Sequence, residues 1–171
     1  MLQTFASPIS ALLDARAEGH SLPAGLYTRE DVFEADLDVF FRQHWICIGV
    51  ECDVPEPRDA TVVDIGNTSL ILLRDDDGEI LVMHNVCRHR GARLLDPGKT
   101  IVSKLVCPYH TWTYELSGEL AYAPHMGKAF DKECRSLKPV TFKVIGGLIY
   151  ICLSENPPAD IDNLEQVMAE R

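Results

Sequence analysis

Two cysteines and two histidines able to bind a metal occur in the order Cys87, His89, Cys107 and His110. They lie within the stretch NVCRHRGARLLDPGKTIVSKLVCPYHTW. Each cysteine is followed by a histidine after one or two residues, and 17 residues separate the two pairs. Thiolate sulfur and imidazole nitrogen are ligands of zinc and of iron–sulfur clusters, and two cysteines can also form a disulfide. The pattern therefore raises three alternatives for one site.

The distribution of the four side chains favours one of these alternatives. A disulfide between Cys87 and Cys107 would leave both histidines without a role. Zinc sites with two cysteines and two histidines usually take both cysteines from one loop and both histidines from another. Here each pair contains one residue of each type, which suits two irons held between two loops. The thiolates would then bind one iron and the imidazoles the other.

Formal charge gives a reason for such mixed ligands. Two ferric ions and two sulfides carry about +2, and two thiolates bring this charge to about zero, whereas four thiolates would bring it to about −2. An electron enters a neutral centre more easily than an anionic one. Mixed ligands therefore raise the reduction potential from roughly −400 mV into the range of about −150 to +300 mV.

These motifs resemble those of a known family. The pattern Cys–x–His, 17 residues, Cys–x–x–His is similar to the N-terminal domain of Rieske non-haem iron oxygenase large subunits. The likeness extends to DVFFRQHW (Asp38–Trp45) and KLVCPYHTWTYELSGEL. Within that family, the chain resembles the quaternary-ammonium branch, which comprises glycine betaine, choline, carnitine and stachydrine oxygenases. Aromatic-ring dioxygenases usually have glycine where this chain has Thr111, which weakens a ring-hydroxylating assignment.

The resemblance implies a 2Fe–2S cluster and names the residues around it. The expected ligands are Cys87, His89, Cys107 and His110. The residues expected to surround the ligands are Arg90, Gly91, Pro108, Tyr109 and Trp112. Gly91 and Pro108 would shape the two loops, and Trp112 would either cover the cluster or pack in the β core. Arg88 and Arg90 would either bind a carboxylate across an interface or remain in solvent.

The same comparison predicts a low reduction potential. The Rieske proteins of respiratory complexes resemble CTHLGC…CPCHGS, with an extra cysteine in each loop, where this chain has Ala92 and Tyr109. Trp112 stands where those proteins have a hydroxyl that bonds a cluster sulfide. Because fewer hydrogen bonds to sulfur stabilise its negative charge less, we expect a potential of roughly −150 mV.

The resemblance also implies a place in a larger enzyme. In that family, an NAD(P)H-dependent flavin and iron–sulfur reductase supplies electrons to this cluster. The electrons then reach a mononuclear non-haem Fe(II) held by two histidines and a carboxylate. That iron activates dioxygen in a monooxygenase or dioxygenase that hydroxylates or demethylates a small substrate. A homotrimer is implied, in which His110 faces a bridging carboxylate. No catalytic residue is expected within these 171 residues.

Two other interpretations stay open at this point. The chain could be a stand-alone Rieske ferredoxin, which is an electron carrier and not part of an enzyme. It could also be the Rieske domain of an aromatic-ring-hydroxylating dioxygenase. The helical arm before Trp45 and the tail after Pro158 favour the oxygenase subunit over the ferredoxin.

Composition argues against several partners. The net charge of −10 argues against nucleic acid, because backbone phosphates would be repelled. The longest apolar run, Val144–Leu153, is too short to span a bilayer, and the start of the chain shows no export signal. We therefore expect a cytoplasmic protein whose six cysteines are free thiols or metal ligands.

The segments that must position the four side chains read as strands. From residue 45 onward, short runs with a period of two, such as TVVDI, SLILLR, EILVMH and LIYICL, alternate with turn signals. This pattern predicts a mainly β fold, an antiparallel Rieske-type sandwich or barrel. The two cluster loops are expected to follow the strands at 79–84 and 101–106.

Helical periodicity is confined to the two ends of the chain. We expect a helical arm at 1–44, the Rieske domain at 45–155, and the start of a linker or helix at 156–171, beginning at Asp160 or Asp162.

The arm is expected to contain two helices. One is predicted at Pro8–Gly19, and a second is predicted to begin at Thr28. We expect the apolar face of the second helix to pack on the β domain. That face contains Phe33, Leu37, Phe40 and Phe41.

Overall fold

The computed structural model of the protein describes residues 8–127 and 129–169. The helices are α1 (Pro8–Asp14), α2 (Gly25–Thr28), α3 (Glu30–Asp36) and α4 (Ile161–Ala169), with a π-helical segment at Leu37–Phe41 and 3₁₀ turns at Glu51–Asp53 and Glu133–Arg135. The strands are β1 (Ile46–Val50), β2 (Asp59–Ile65), β3 (Thr68–Arg74), β4 (Ile80–His84), β5 (Lys99–Ile101), β6 (Leu105–Val106), β7 (Thr113–Tyr114), β8 (Leu120–Tyr122), β9 (Thr141–Ile145) and β10 (Leu148–Cys152). The predicted mainly β fold with an N-terminal helical arm is confirmed.

The described strands form three antiparallel sheets. One has the order β1–β10–β9, the second β4–β3–β2–β5, and the third β6–β7–β8. Tight hairpins join β2 to β3 and β9 to β10, at the turn signals that the sequence shows. The third sheet is short, and its strands lead into and out of the second predicted cluster loop.

Strand β3 divides the core into two halves. Its apolar residues are buried on both faces, which explains why SLILLR is continuously apolar. Leu70 and Leu72 pack with side chains of the first sheet, including Ile149. Ile71 and Leu73 point the opposite way and pack with the predicted ligand cysteines. Side chains alternate along β3, so one face of this strand packs against the predicted ligand cysteines and the other face packs against the first sheet.

The two predicted loops leave the ends of strands, as expected. The first follows β4, which ends at His84, and the second follows β6, which ends at Val106. The prediction of one strand at 101–106 is wrong in detail. That segment forms the end of β5 and all of β6, with residues 102–104 outside both strands.

The arm differs from its prediction in where its aromatic side chains point. Helix α1 ends at Asp14 and not at Gly19. The helix predicted to begin at Thr28 corresponds to α3, which begins at Glu30, and the short helix α2 before it was not predicted. Leu37 is buried and packs over the β2–β3 turn at Gly66. The rest of the predicted face, however, is exposed: Phe33, Phe40 and Phe41 have exposed fractions of 51%, 56% and 39%. The expectation that this face packs on the β domain is therefore wrong for its three phenylalanines.

The C-terminal segment returns to the start of the β domain. Helix α4 begins at Ile161, between the two aspartates predicted to start it. The indole Nε1–H of Trp45 donates a hydrogen bond of 2.7 Å to the carbonyl of Pro158. Within residues 8–127 and 129–169, no helix has the length and apolar character needed to cross a membrane.

Candidate metal centre

The first loop, Cys87–Ala92, closes on itself through two backbone hydrogen bonds. The N–H of Cys87 donates to the carbonyl of Ala92 at 2.8 Å, and the N–H of Gly91 donates to the carbonyl of Cys87 at 3.0 Å. Gly91 adopts a left-handed conformation with φ of 74°, which glycine tolerates at little cost. This turn places His89 at the tip of the loop.

The second loop, Cys107–Trp112, repeats the same pattern. The N–H of Cys107 donates to the carbonyl of Trp112 at 2.8 Å, and the N–H of Thr111 donates to the carbonyl of Cys107 at 2.9 Å. Thr111 occupies the position that Gly91 has in the first loop, and its φ is 57°. A β-branched residue is strained in that region. The two predicted ligand pairs thus lie on two loops of equivalent backbone geometry.

The two predicted ligand cysteines are buried side by side. Cys87 and Cys107 each have an exposed fraction of 1% and belong to one apolar cluster. Both are free thiols, so no disulfide joins them. Burial raises the pKa of the Cys87 thiol, and the adjacent Cys107 adds to this effect. A cationic metal offsets such a shift, because it stabilises the thiolate directly.

The two predicted ligand histidines face each other across the loops. The ring centroids of His89 and His110 are 4.8 Å apart, with the rings inclined at 71°. The Nδ1 atom of each ring is buried and has no hydrogen-bond partner among the described residues. Burial lowers the pKa of His89, and His110 and then Arg90 lower it further. The neutral imidazole that results is the form that binds a metal.

Other predicted neighbours of the site divide into buried and exposed groups. Trp112 is 2% exposed and stacks on the ring of His89, with centroids 4.7 Å apart and an interplanar angle of 12°. Tyr109 lies against His110 at 3.8 Å but is largely exposed. Arg90 and Pro108 are exposed. Trp112 is therefore the neighbour that shields a histidine from water.

Tyr114 was missed by sequence analysis. It is fully buried, and its hydroxyl accepts a hydrogen bond of 2.9 Å from the N–H of Arg88. The same hydroxyl lies 3.3 Å from Sγ of Cys87. Burial, reinforced by this contact, raises the pKa of Tyr114, so the phenol keeps its proton. Because its oxygen already accepts from Arg88, the hydroxyl proton is free to donate to the sulfur.

Asn85 was also missed. Its side chain is buried and makes four hydrogen bonds, which use its full donor and acceptor capacity. Nδ2 donates to Ser69 Oγ and to the carbonyl of Leu95 at 3.2 and 2.8 Å. Oδ1 accepts from the N–H groups of Leu94 and Leu95 at 3.0 and 2.9 Å. Asn85 thus ties the ends of the first loop to β3. An asparagine two residues before a predicted ligand is the sequence signal that could have found it.

The donor set fits a binuclear group better than a single ion. Two buried sulfurs and two buried, unpartnered nitrogens match the two thiolates and two imidazoles of a mixed-ligand 2Fe–2S cluster. In the described part of the chain, no three His, Cys, Asp or Glu side chains converge closely enough to hold one metal ion. The pairing of two sulfurs with two nitrogens is thus the observation that favours two irons over one ion.

The chain is similar to oxygenase subunits of known function. The chain is 42% identical over 154 residues to the glycine betaine monooxygenase oxygenase subunit of Pseudomonas aeruginosa, an alignment that covers 90% of this chain and 36% of the relative. It therefore spans little more than a third of that relative's length.

Solved structures show the same fold. The apo form of the quaternary ammonium Rieske monooxygenase CntA superposes with a TM-score of 0.78 at 30% identity, which covers 88% of this chain and 44% of that one. Naphthalene 1,2-dioxygenase from Rhodococcus sp. gives a TM-score of 0.78 at 29% identity and covers 86% and 34% of the two chains. The model of the Rieske [2Fe-2S] domain matches residues 44–150, a range that contains both loops. The chain therefore belongs to the Rieske [2Fe-2S] domain family.

Proposed function

We propose that the chain is the electron-transfer domain of a Rieske oxygenase large subunit. Cys87 and Cys107 ligate one iron through Sγ, and His89 and His110 ligate the other through Nδ1. The main support is the burial of two thiols beside two imidazole nitrogens that lack a partner among the described residues. A 2Fe–2S cluster bound there supplies one-electron oxidation and reduction.

The chain's own residues set the conditions for that chemistry. Trp112 covers one face of His89 and excludes water from it. Tyr114 donates a hydrogen bond to Cys87 and stabilises negative charge on its sulfur. The outer nitrogens, Nε2 of His89 and His110, are not among the buried unpartnered atoms of the described residues. Both histidines are partly exposed, so the side of each ring away from Nδ1 can meet a partner.

The proposal extends to the whole enzyme. Electrons come from an NAD(P)H-dependent flavin and iron–sulfur reductase and leave for a mononuclear non-haem iron in a further domain, which hydroxylates or demethylates a quaternary ammonium compound. The similarity to a glycine betaine monooxygenase oxygenase subunit supports this substrate class.

We further propose that the full-length protein is a cytoplasmic homotrimer. Within this chain we propose three parts, which are a helical arm at 1–44, the Rieske domain at 45–155, and the start of a linker or helix at 156–171.

The cluster is tested by anaerobic reconstitution with iron and sulfide. We expect about two irons and two sulfides per chain, visible absorption that bleaches on reduction, and an EPR signal from the reduced state. Cys107→Ser should abolish all three. Cys134→Ser, which changes an exposed thiol outside the loops, should retain them. Stoichiometric zinc in a colourless wild-type protein would contradict the proposal.

The oxygenase assignment is tested by the gene. We expect the reading frame to continue beyond Arg171 and to encode two histidines and one carboxylate that ligate a single iron. The full-length product should consume dioxygen when given NADH, a reductase and glycine betaine. A stop codon directly after Arg171 would instead favour the ferredoxin.

A further inference from the structure

A pocket of about 270 Å³ lies beside the first loop and is lined by His84, Val86, Arg88 and Lys138. His84 ends β4, and Arg88 follows the first proposed ligand directly. The N–H of His84 donates to the carbonyl of Lys138 at 2.9 Å, which fixes Lys138 beside β4. The pocket is therefore built from two segments that the fold holds together.

The charges in this pocket are not balanced by the chain. Its lining contains two permanent cations, Arg88 and Lys138, and no carboxylate. Nε of Arg88 is buried and has no hydrogen-bond partner among the described residues. An adjoining cavity shares His84 and Lys138 and includes Glu155, yet Glu155 forms no ion pair in the described part of the chain.

Seven of the arginines and lysines that the structure describes pair with a carboxylate: these are Arg29, Arg42, Arg58, Arg93, Lys99, Lys104 and Lys143. Arg88 and Lys138 are among those that do not, and they line one pocket together in a chain with a net charge of −10. A buried polar atom without a partner costs free energy, so an anion from outside the chain is expected to complete the pocket.

The chemistry of the lining matches a single carboxylate. The planar guanidinium of Arg88 can bond both oxygens of a carboxylate, and the ammonium of Lys138 adds a second positive charge. Burial and the proximity of Lys138 lower the pKa of His84, so its neutral ring can bond to the same anion without adding a third charge. Val86, 39% exposed, offers an apolar contact at the rim.

The position of the pocket indicates whose carboxylate it is. Arg88 lies between the proposed ligands Cys87 and His89, so a protein that reaches this pocket is at the edge of the metal centre. We propose that a side-chain carboxylate of the electron-donating protein enters the pocket and binds Arg88 and Lys138. This inference rests on the electron-transfer function proposed above. Because the chain as a whole is acidic, a broadly acidic donor face would be repelled, and one central carboxylate is the better match.

The test measures how fast the donor reduces the cluster of the native full-length protein. The rate is followed by visible absorption at increasing concentrations of the NADH-reduced reductase. Lys138→Gln is the main variant, because Lys138 is remote in sequence from every proposed ligand. We expect its half-saturating reductase concentration to rise about tenfold, with the limiting rate and the reduction by dithionite unchanged. Arg88→Gln should act in the same direction, with the reduction potential measured alongside.

Lys99→Gln is the matched control, because it removes one positive charge from a distant sheet edge. It should change the half-saturating concentration less than twofold. Equal curves for Lys138→Gln and wild type would overturn the docking proposal, while reduction of the wild type by the reductase would still support electron transfer. Failure of dithionite to bleach the wild type would instead overturn the function. Free acetate provides a further test of the wild type. If acetate binds saturably and the half-saturating reductase concentration of Lys138→Gln equals that of the wild type, the pocket binds a small anion and the docking proposal is overturned.

Discussion

The hydroxyl of Tyr114 lies 3.3 Å from Sγ of Cys87 and at the same time accepts a hydrogen bond from the N–H of Arg88. One buried phenol thus links strand β7 to the first loop and to a sulfur that we propose as an iron ligand. Its orientation is fixed by the backbone of the loop that it serves. The hydrogen bond to sulfur is therefore present before any electron arrives.

Tyr114→Phe should lower the reduction potential of the cluster. The variant keeps the buried ring and removes the hydroxyl, which donates to the sulfur and accepts from the N–H of Arg88. The sulfur is more negative in the reduced state, so the reduced state loses more stabilisation than the oxidised state. A hydrogen bond of about 1 kcal/mol corresponds to about 40 mV for a one-electron couple. A redox titration followed by visible absorption measures the shift. An unchanged potential would mean that the hydroxyl forms a hydrogen bond only with Arg88.

For the wild-type protein we expect a reduction potential near about −150 mV, and a clearly positive midpoint potential would contradict this prediction.

Asn85→Ala should destabilise the protein by about 3 kcal/mol, because it leaves the N–H groups of Leu94 and Leu95 buried without acceptors. The first loop should then lose its anchor to β3, and the variant should retain less iron after purification. Urea unfolding and iron content measure the two effects. Asn163→Ala, on an exposed face of α4, is the control and should change stability by less than about 0.5 kcal/mol.

Thr111→Gly should stabilise the protein, whereas Gly91→Ala should destabilise it. Both positions have positive φ in equivalent loops, and a Cβ at Gly91 would meet no atom within 4 Å, so only backbone strain is at issue there. We expect a change of about 1 kcal/mol in each direction, or about 3 °C in the unfolding temperature. If Thr111→Gly proves less stable, the hydrogen bond from Thr111 Oγ1 to the carbonyl of His110 outweighs the strain.

The reduction potential should fall at alkaline pH. With Nδ1 of His89 and His110 on iron, each Nε2–H can lose its proton, and ferric iron stabilises the deprotonated ring more than ferrous iron does. Deprotonation therefore favours the oxidised state, so the potential declines by about 59 mV per pH unit for each proton lost. Redox titrations from neutral to strongly alkaline pH measure this. A flat profile would show that partners lock both outer nitrogens.

The sequence was most informative where a local pattern determines structure. SLILLR was predicted to be a strand, which the structure confirms, with both faces of the strand buried. The Cys/His pairs were expected at strand ends, where the structure has them. Tyr114 and Asn85 were missed because their roles depend on long-range contacts. A tyrosine in a strand cannot be told from an ordinary core residue by sequence alone, and the contact of Tyr114 with Cys87 joins residues 27 positions apart.

The aromatic face of the arm failed for a related reason. Helical periodicity identified the apolar residues but does not say what covers them. The π-helical segment at Leu37–Phe41 changes the angular spacing of side chains, and Leu37 alone of the predicted face is buried on the domain. Phe40 and Phe41, within that segment, are exposed, and so is Phe33 in the preceding α-helical turn.

Each cluster loop closes through its own pair of backbone hydrogen bonds, and neither closure uses the residues between the loops. Between the loops, Leu94 and Leu95 bond to Asn85, β5 pairs with β2, and β6 pairs with β7. Changes of length in this interval are therefore expected only at its exposed turns, such as residues 96–97, where surface connections tolerate insertion at low cost. A search pattern that lets the interval vary there would include relatives that a fixed interval of 17 residues excludes.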